Sequence, residues 1–253
     1  MNKTIITCGT SLLTNNFKDR GIIYDFSNCA EETLPCDKKA LVDGCVSGTM
    51  DKLSAADNAS LAKSSAELNT LISYYGDLSA ARGEFYFLHT DTYFGKCVAE
   101  FYASFLKKRF GAECQAKRVP GLRTDSYENF NRGLSALYSD EFLKLYKNPS
   151  GKVIFVLSGG FKSWSGYMQS IGMFYADEIL YQFESGAHLV SIPKIPVKLD
   201  LNEKAEKGLR LIEKEKDIPA EIKKEIPAVA FEDDGGKLKL TNMGKLLLDR
   251  VKN

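Results

Sequence analysis

Two histidines, one tryptophan and no C-x-x-C pair stand among the 253 residues of this chain. Each scarcity excludes something. His89 and His188 are far apart, and Cys8, Cys29, Cys36, Cys45, Cys97 and Cys114 occur singly, so the paired spacings of a zinc site are not met. No metal and no cofactor is expected. The cysteines read as small buried residues or surface bystanders, with redox or adventitious metal chemistry the alternative for Cys29, Cys36 and Cys45, which come nearest to a cluster. A surplus of charge of either sign is also lacking, because 34 Lys+Arg face 33 Asp+Glu and leave a formal net charge of +1. Bulk charge therefore does not draw the chain to nucleic acid. No apolar run approaches the ~18 residues that cross a bilayer, and the first residues run into a strand with no signal-peptide pattern. The cytoplasm is the expected location, with no membrane partner.

What is present is an alternation of short β-branched or aromatic runs with helical patterns. Strands are predicted at 3–8, 84–89, 113–118, 152–157, 178–183 and 188–192, and helices at 93–110, 125–147 and 161–175, with helical stretches between about 36 and 75. Such alternation predicts a Rossmann-like α/β fold, a mostly parallel sheet with helices on both faces. The first connection, 19–60, contains the polar stretches Asn28–Cys36 and Ser54–Ser60, which fit a lid or extra helical surface. After Pro196 the pattern changes to helices at 201–216 and 219–226, then 228–231 and 237–240 flanking Asp233-Asp234-Gly235-Gly236, then a helix from Asn242. This reads as a small winged-helix-like α+β unit, giving domains 1–197 and 198–253. The second carries 13 basic against 12 acidic residues. DNA binding is therefore not expected of it, and an appendage that dimerises or covers the ligand is.

The run Val153-Ile154-Phe155-Val156-Leu157-Ser158-Gly159-Gly160-Phe161-Lys162 passes from an apolar strand through two glycines to a lysine that opens a helix. Glycines there let amide N–H groups point outward at the positive end of a helix dipole, and Lys162 adds a mobile charge. The run matches neither the P-loop nor the dinucleotide fingerprint. A plainer reading stands beside it, in which the glycines allow a tight turn and the lysine is solvated. A similar turn follows the first strand at Gly9-Thr10-Ser11-Leu12-Leu13-Thr14-Asn15. Both loops lie beyond strand ends, where open α/β sheets bind ligands. Capping of the following helix is the alternative for Thr10 and Ser11. In Thr90-Asp91-Thr92, Asp91 serves either a ribose hydroxyl or a helix cap. His89 reads as a satisfied histidine at a strand end, and its R-x(4–6)-H spacing from Arg82 as accidental. Trp164 and Tyr167 read as core more readily than as a stacking face for a base.

Taken in order, Cys8–Asn15, Ser64-Ser65-Ala66-Glu67-Leu68-Asn69, Leu88–Thr92 with Cys97–Glu100, Ser158–Lys162, Asp177–Glu184 and Ile192-Pro193-Lys194-Ile195-Pro196 resemble the landmarks of CARF domains. These CRISPR-associated Rossmann-like domains sense cyclic oligoadenylates made by type III systems. The resemblance covers roughly residues 1–197. Val156 and Ser158 depart from the family's usual Asn and Thr before the glycines.

The resemblance, closest to stand-alone CARF ring nucleases, implies that Gly9, Thr10, Ser11, Leu12, Thr90, Asp91, Thr92, Ser158, Gly159, Gly160, Phe161 and Lys162 contact the ring. It also gives Ser11 and Lys162 the catalytic positions. The implied chemistry is a metal-independent transesterification in which a ribose 2′-hydroxyl attacks its own 3′-phosphodiester. A homodimer is implied too, since a two-fold axis through a rotationally symmetric ring presents the same loops to both halves. The competing class is a sensor that binds without cleaving and passes occupancy to a partner or to an effector domain elsewhere. Ring size, four adenylates or six, is not readable from residue types.

Overall fold

Apolar runs form the sheet and hydroxyl or glycine signals end the helices around it. The computed structural model describes residues 1–17, 20–183, 188–196 and 201–251. In chain order the first elements are β1 (Lys3–Thr7), α1 (Ser11–Asn16), α2 (Arg20–Phe26), α3 (Cys36–Ser54), α4 (Asn58–Ser64) and α5 (Ala66–Tyr75). After a 3-10 turn come β2 (Glu84–His89), α6 (Tyr93–Phe110), β3 (Glu113–Arg118), α7 (Tyr127–Ala136), α8 (Asp140–Leu145), β4 (Val153–Val156), α9 (Lys162–Tyr175), β5 (Glu178–Gln182) and β6 (Leu189–Ser191). The strand order is β3-β2-β1-β4-β5-β6. Neighbours from β3 to β5 pair in parallel, and β6 closes the far edge antiparallel to β5. The fold is thus the Rossmann-like α/β sheet expected, and its order reverses between β1 and β4.

Burial on both faces explains the unbroken apolar texture of β1, β2 and β4. In register, Ile5 lies between Tyr86 and Phe155. Phe87, Phe94, Phe101, Tyr102 and Phe105 pack with Leu12, Leu68 and Leu71 in one core. Helix α6 shows its ends plainly: Thr92 Oγ1 accepts from the Gly95 N–H at 3.1 Å, and Lys107, Lys108 and Arg109 stand in the last turn before left-handed Gly111.

One of the expected helices needs correction, and one open reading is decided. The single helix expected over 125–147 is two helices, because the chain turns at Leu137–Ser139 and Ser139-Asp140-Glu141 supplies a fresh N-terminal signal, with Leu143 N–H bonded to Ser139 O. The 19–60 connection is mostly helical, and Val42 and Leu53 of α3 and Leu61 of α4 join the core. It is an added helical layer.

Contacts divide the chain into two compact units, Met1–Leu134 with Lys144–Ile195, and Ser135–Leu143 with the residues from Pro196 onward. The expected boundary at 197/198 lies outside the described residues, as does Glu184. The second unit contains α10 (Glu203–Glu213), α11 (Ala220–Lys223), β7 (Phe231–Asp234), β8 (Lys237–Leu240) and α12 (Asn242–Val251) around Leu209, Ile212, Ile226 and Leu248. Asn202 Oδ1 caps α10 by accepting from the Ala205 N–H at 2.8 Å. The first hairpin strand begins only at Phe231. Residues 228–230, expected as strand, form a 3-10 turn led in by Pro227. No described helix is long and apolar enough to cross a membrane.

Candidate functional site

Adjacent strands β1 and β4 deliver their loops side by side, and the two loops touch backbone to backbone. Thr7 Oγ1 donates to Gly159 O at 2.7 Å. A Cβ at Gly9 would stand 2.5 Å from Gly160 N, and one at Gly159 would overlap Glu67 Oε1 and Thr7 O. Gly160 has φ +88°, which a side chain would strain. Close approach accounts for these glycines, and one amide expected to face a ligand does not. The Gly9 N–H is turned inward, donating to Glu67 Oε1 at 2.6 Å.

Glu67 is fully buried on α5 beneath the first loop. Besides Gly9, its carboxylate accepts from Ser11 Oγ and from Tyr102 Oη, each at 2.8 Å. Burial pushes its carboxyl above the usual range, and these hydrogen bonds pull it part of the way back. Ser11 also accepts from the Ala66 N–H at 3.1 Å. Ser11 therefore caps a helix, but α5 rather than its own; the cap proper of α5 is Ser65, which accepts from the Leu68 N–H at 3.2 Å. Thr10 stands at the N-cap of α1 without a side-chain capping bond.

Over these loops opens a cavity of about 830 Å³. The first turns of three helices reach it, through Ser11 of α1, Ala66 of α5 and Lys162 of α9. Phe161, at the N-cap of α9, offers no side-chain acceptor, so the first-turn N–H groups of that helix have no side-chain cap. Lys63 and Lys162 are the charged residues of the described lining, which holds no carboxylate. Ser158 lies on the wall, its Oγ accepting from the Gln182 N–H at 2.9 Å and sharing a hydrogen bond with Thr70 Oγ1 at 2.6 Å. Phe161, Tyr181 and half-exposed Phe183 add aromatic surface, with the rings of the last two 6.3 Å apart. Trp164 is fully buried and belongs to the core.

Of the residues expected at the ligand, Ser11, Ser158, Gly160, Phe161 and Lys162 line the cavity. Gly9, Thr10 and Gly159 stand behind or beside its wall, and Leu12 is buried in the core. Thr90, Asp91 and Thr92 follow β2, outside the wall, and are engaged elsewhere. Asp91 Oδ2 accepts from the Gly121 N–H at 2.7 Å and Oδ1 lies 3.6 Å from Arg118, while Thr92 and not Asp91 caps α6. His89 is buried with Nδ1 2.8 Å from Thr90 O, and burial lowers its pKa. Arg82 holds the carbonyls of Ser79 and Ala81 before β2, so it does not act with His89. Among the thiols, burial pushes Cys97 and Cys114 up to about 12.

Sequence reasoning missed Lys63 and Glu67 as site residues. The signal available for Glu67 was a carboxylate two residues past a serine cap, inside an otherwise apolar helix.

Sheet order and cleft together define a Rossmann-like protein with a cationic cleft at the point where strand order reverses, the place where open α/β sheets bind ligands. The chain belongs to the CRISPR-associated protein family Cas_APE2256, whose model matches residues 62–195, and this bears out the resemblance to CARF-type domains. The match takes in Lys63, Glu67 and the Gly159–Lys162 loop, and begins after Ser11. No curated protein matches the chain.

Proposed function

We propose that the protein binds a cyclic oligoadenylate, with cyclic tetra-adenylate as the first choice, in the cavity beyond β1 and β4 of a cytoplasmic homodimer. We further propose that it opens the ring without a metal and so switches off type III CRISPR signalling. The carrying observation is the charge of the cavity: Lys63 and Lys162 line it, Lys162 opens a helix without a side-chain cap, and no carboxylate lines the described wall. This suits a ligand with several phosphates. Phe161, Tyr181 and Phe183 offer π faces to adenines. The sensing unit is assigned to 1–197, and 198–253 is assigned to dimerisation or to covering the ring, not to DNA.

In the proposed reaction the 2′-oxygen forms a bond to its own 3′-phosphorus as the bond from phosphorus to the 5′-oxygen breaks. The 2′-hydroxyl proton leaves to solvent and the 5′-oxygen takes one up, giving a linear oligoadenylate with a 2′,3′-cyclic phosphate. Lys162 offsets the charge that grows on the phosphoryl oxygens, and Ser11 orients the reacting group. Incubation with labelled cyclic tetra- and hexa-adenylate in EDTA, followed by product analysis, tests this reading. The expected product is the linear cyclic-phosphate species from one of the rings, and an intact ring after hours sinks the enzyme.

A second reading, a sensor that binds without cleaving, is favoured by one feature. The described lining has no imidazole, thiol or carboxylate to serve as general base, and Ser11 already gives its proton to Glu67. Turnover on the first reading is therefore slow.

A further inference from the structure

The hydrogen bonds around Ser11 leave its hydroxyl one way to meet a ligand. A serine oxygen has one proton and two lone pairs. The proton goes to Glu67 Oε2 at 2.8 Å and one lone pair takes the Ala66 N–H at 3.1 Å. Backbone N–H groups cannot reverse their role, so Ala66 fixes that lone pair, and Gly9 fixes Glu67 Oε1 as an acceptor. The second carboxylate oxygen then faces the hydroxyls of Ser11 and Tyr102, both of which donate to it. What remains of Ser11, on the cavity wall, is a lone pair.

We propose that Glu67 is a positioning residue that fixes the direction of the Ser11 hydroxyl, so that Ser11 meets the ligand only as an acceptor and takes the 2′-hydroxyl of a ribose. This rests on the reading of the cavity as a cyclic oligoadenylate site, and it divides the work there. Phosphate oxygens have no proton to give, and an oxygen whose own proton is held elsewhere repels them. They fall to Lys63 and Lys162. A ribose 2′-hydroxyl has a proton to give, and once it donates to Ser11 its own lone pairs are left to face phosphorus.

The test measures dissociation constants of cyclic tetra-adenylate and of its 2′-fluoro analogue, which lacks the proton, on the full chain. Wild type is expected to favour the ribose ring by about 5-fold or more, the worth of a neutral hydrogen bond. Ser11→Ala brings that ratio to about 1. So does Glu67→Gln: the Gly9 N–H holds the amide oxygen on its side, the amide nitrogen donates to Ser11, and the serine proton turns outward. Tyr102→Phe removes a donor from the same carboxylate, leaves Ser11 in place, and keeps the wild-type ratio.

Should Glu67→Gln fail to fold, the ratio is followed in wild type as pH falls toward the ordinary carboxylate value of about 4.3. Among the described residues, the titratable groups acting on Glu67 are Cys8 from the end of β1 and Tyr102 from α6, both kept neutral by burial. Protonating Glu67 turns its acceptor into a donor, and the ratio drops toward 1. A wild-type ratio of about 1, a folded Glu67→Gln protein with the wild-type ratio, or a ratio unmoved by pH overturns the proposal. Absence of binding to both rings removes the cavity reading itself, and is told apart by the missing signal for the ribose ring.

Discussion

Gly159 lies against the carboxylate of Glu67 so closely that a Cβ there would overlap Oε1, with Thr7 O crowding it from the other side. Neither neighbour is free to move, since Oε1 holds the Gly9 N–H and Thr7 belongs to β1. Gly159→Ala is therefore expected to cost roughly 1–3 kcal/mol, the usual cost of overpacking. It should also weaken ring binding, because the β4–α9 loop must shift. Urea unfolding and a dissociation constant measured on the same preparation check both halves.

Lys162→Ala should weaken ring binding far more than it affects folding. A hydrogen bond to a charged group is worth ~1.5–3 kcal/mol, and a dimer loses two at once. Lys63→Ala is expected to act in the same direction, and the salt dependence of binding should flatten in both variants. An unchanged dissociation constant for Lys162→Ala would leave that residue as a solvated helix-start lysine.

Ser11→Ala should slow ring opening by about 10-fold or more while costing only ~1 kcal/mol of affinity, because its contact matters most as the 2′-oxygen attacks. The same change uncaps the Ala66 N–H, so about 1 kcal/mol of stability goes with it. Single-turnover cleavage beside a thermal melt separates the two effects. Equal losses in cleavage rate and in affinity would argue against the role.

A homodimer is expected, because one copy of the cavity faces only half of a two-fold ring. Light scattering at micromolar protein, with and without cyclic tetra-adenylate, reads this directly. A monomer under both conditions removes the symmetry argument.

Stability should fall as pH rises through the titration of Glu67. Its folded carboxyl stands above the unfolded value of about 4.3, so between the two the native chain holds a proton that the unfolded chain has released. Stabilisation from this group is complete below the unfolded value and is lost as pH rises through the folded one. The slope approaches ~1.4 kcal/mol per pH unit where the proton difference is whole. Glu67→Gln should flatten that stretch of the curve, and urea melts across a pH series would show whether it does.

The sheet and both glycine loops were legible because their signals are local. β2, α6 and β3 occur at 84–89, 93–110 and 113–118 as the residue pattern indicates, and Ser158–Lys162 announces a strand-to-helix turn in its own letters. What could not be read depends on distance along the chain. Glu67 meets Gly9 across 58 positions and Tyr102 across 35, and nothing in the letters around any of them encodes that meeting. Asp91 makes the same point: its place after a strand suggests a ribose contact or a helix cap, and nothing nearby in sequence announces the Gly121 N–H, from the next connection, that donates to it.

The buried carboxylate under the first loop meets segments from residue 9 to residue 159, so the wall of the cavity is built from contacts between stretches far apart in the chain. On the proposed function, a chain that has not brought these segments together has no site in which to hold the ring.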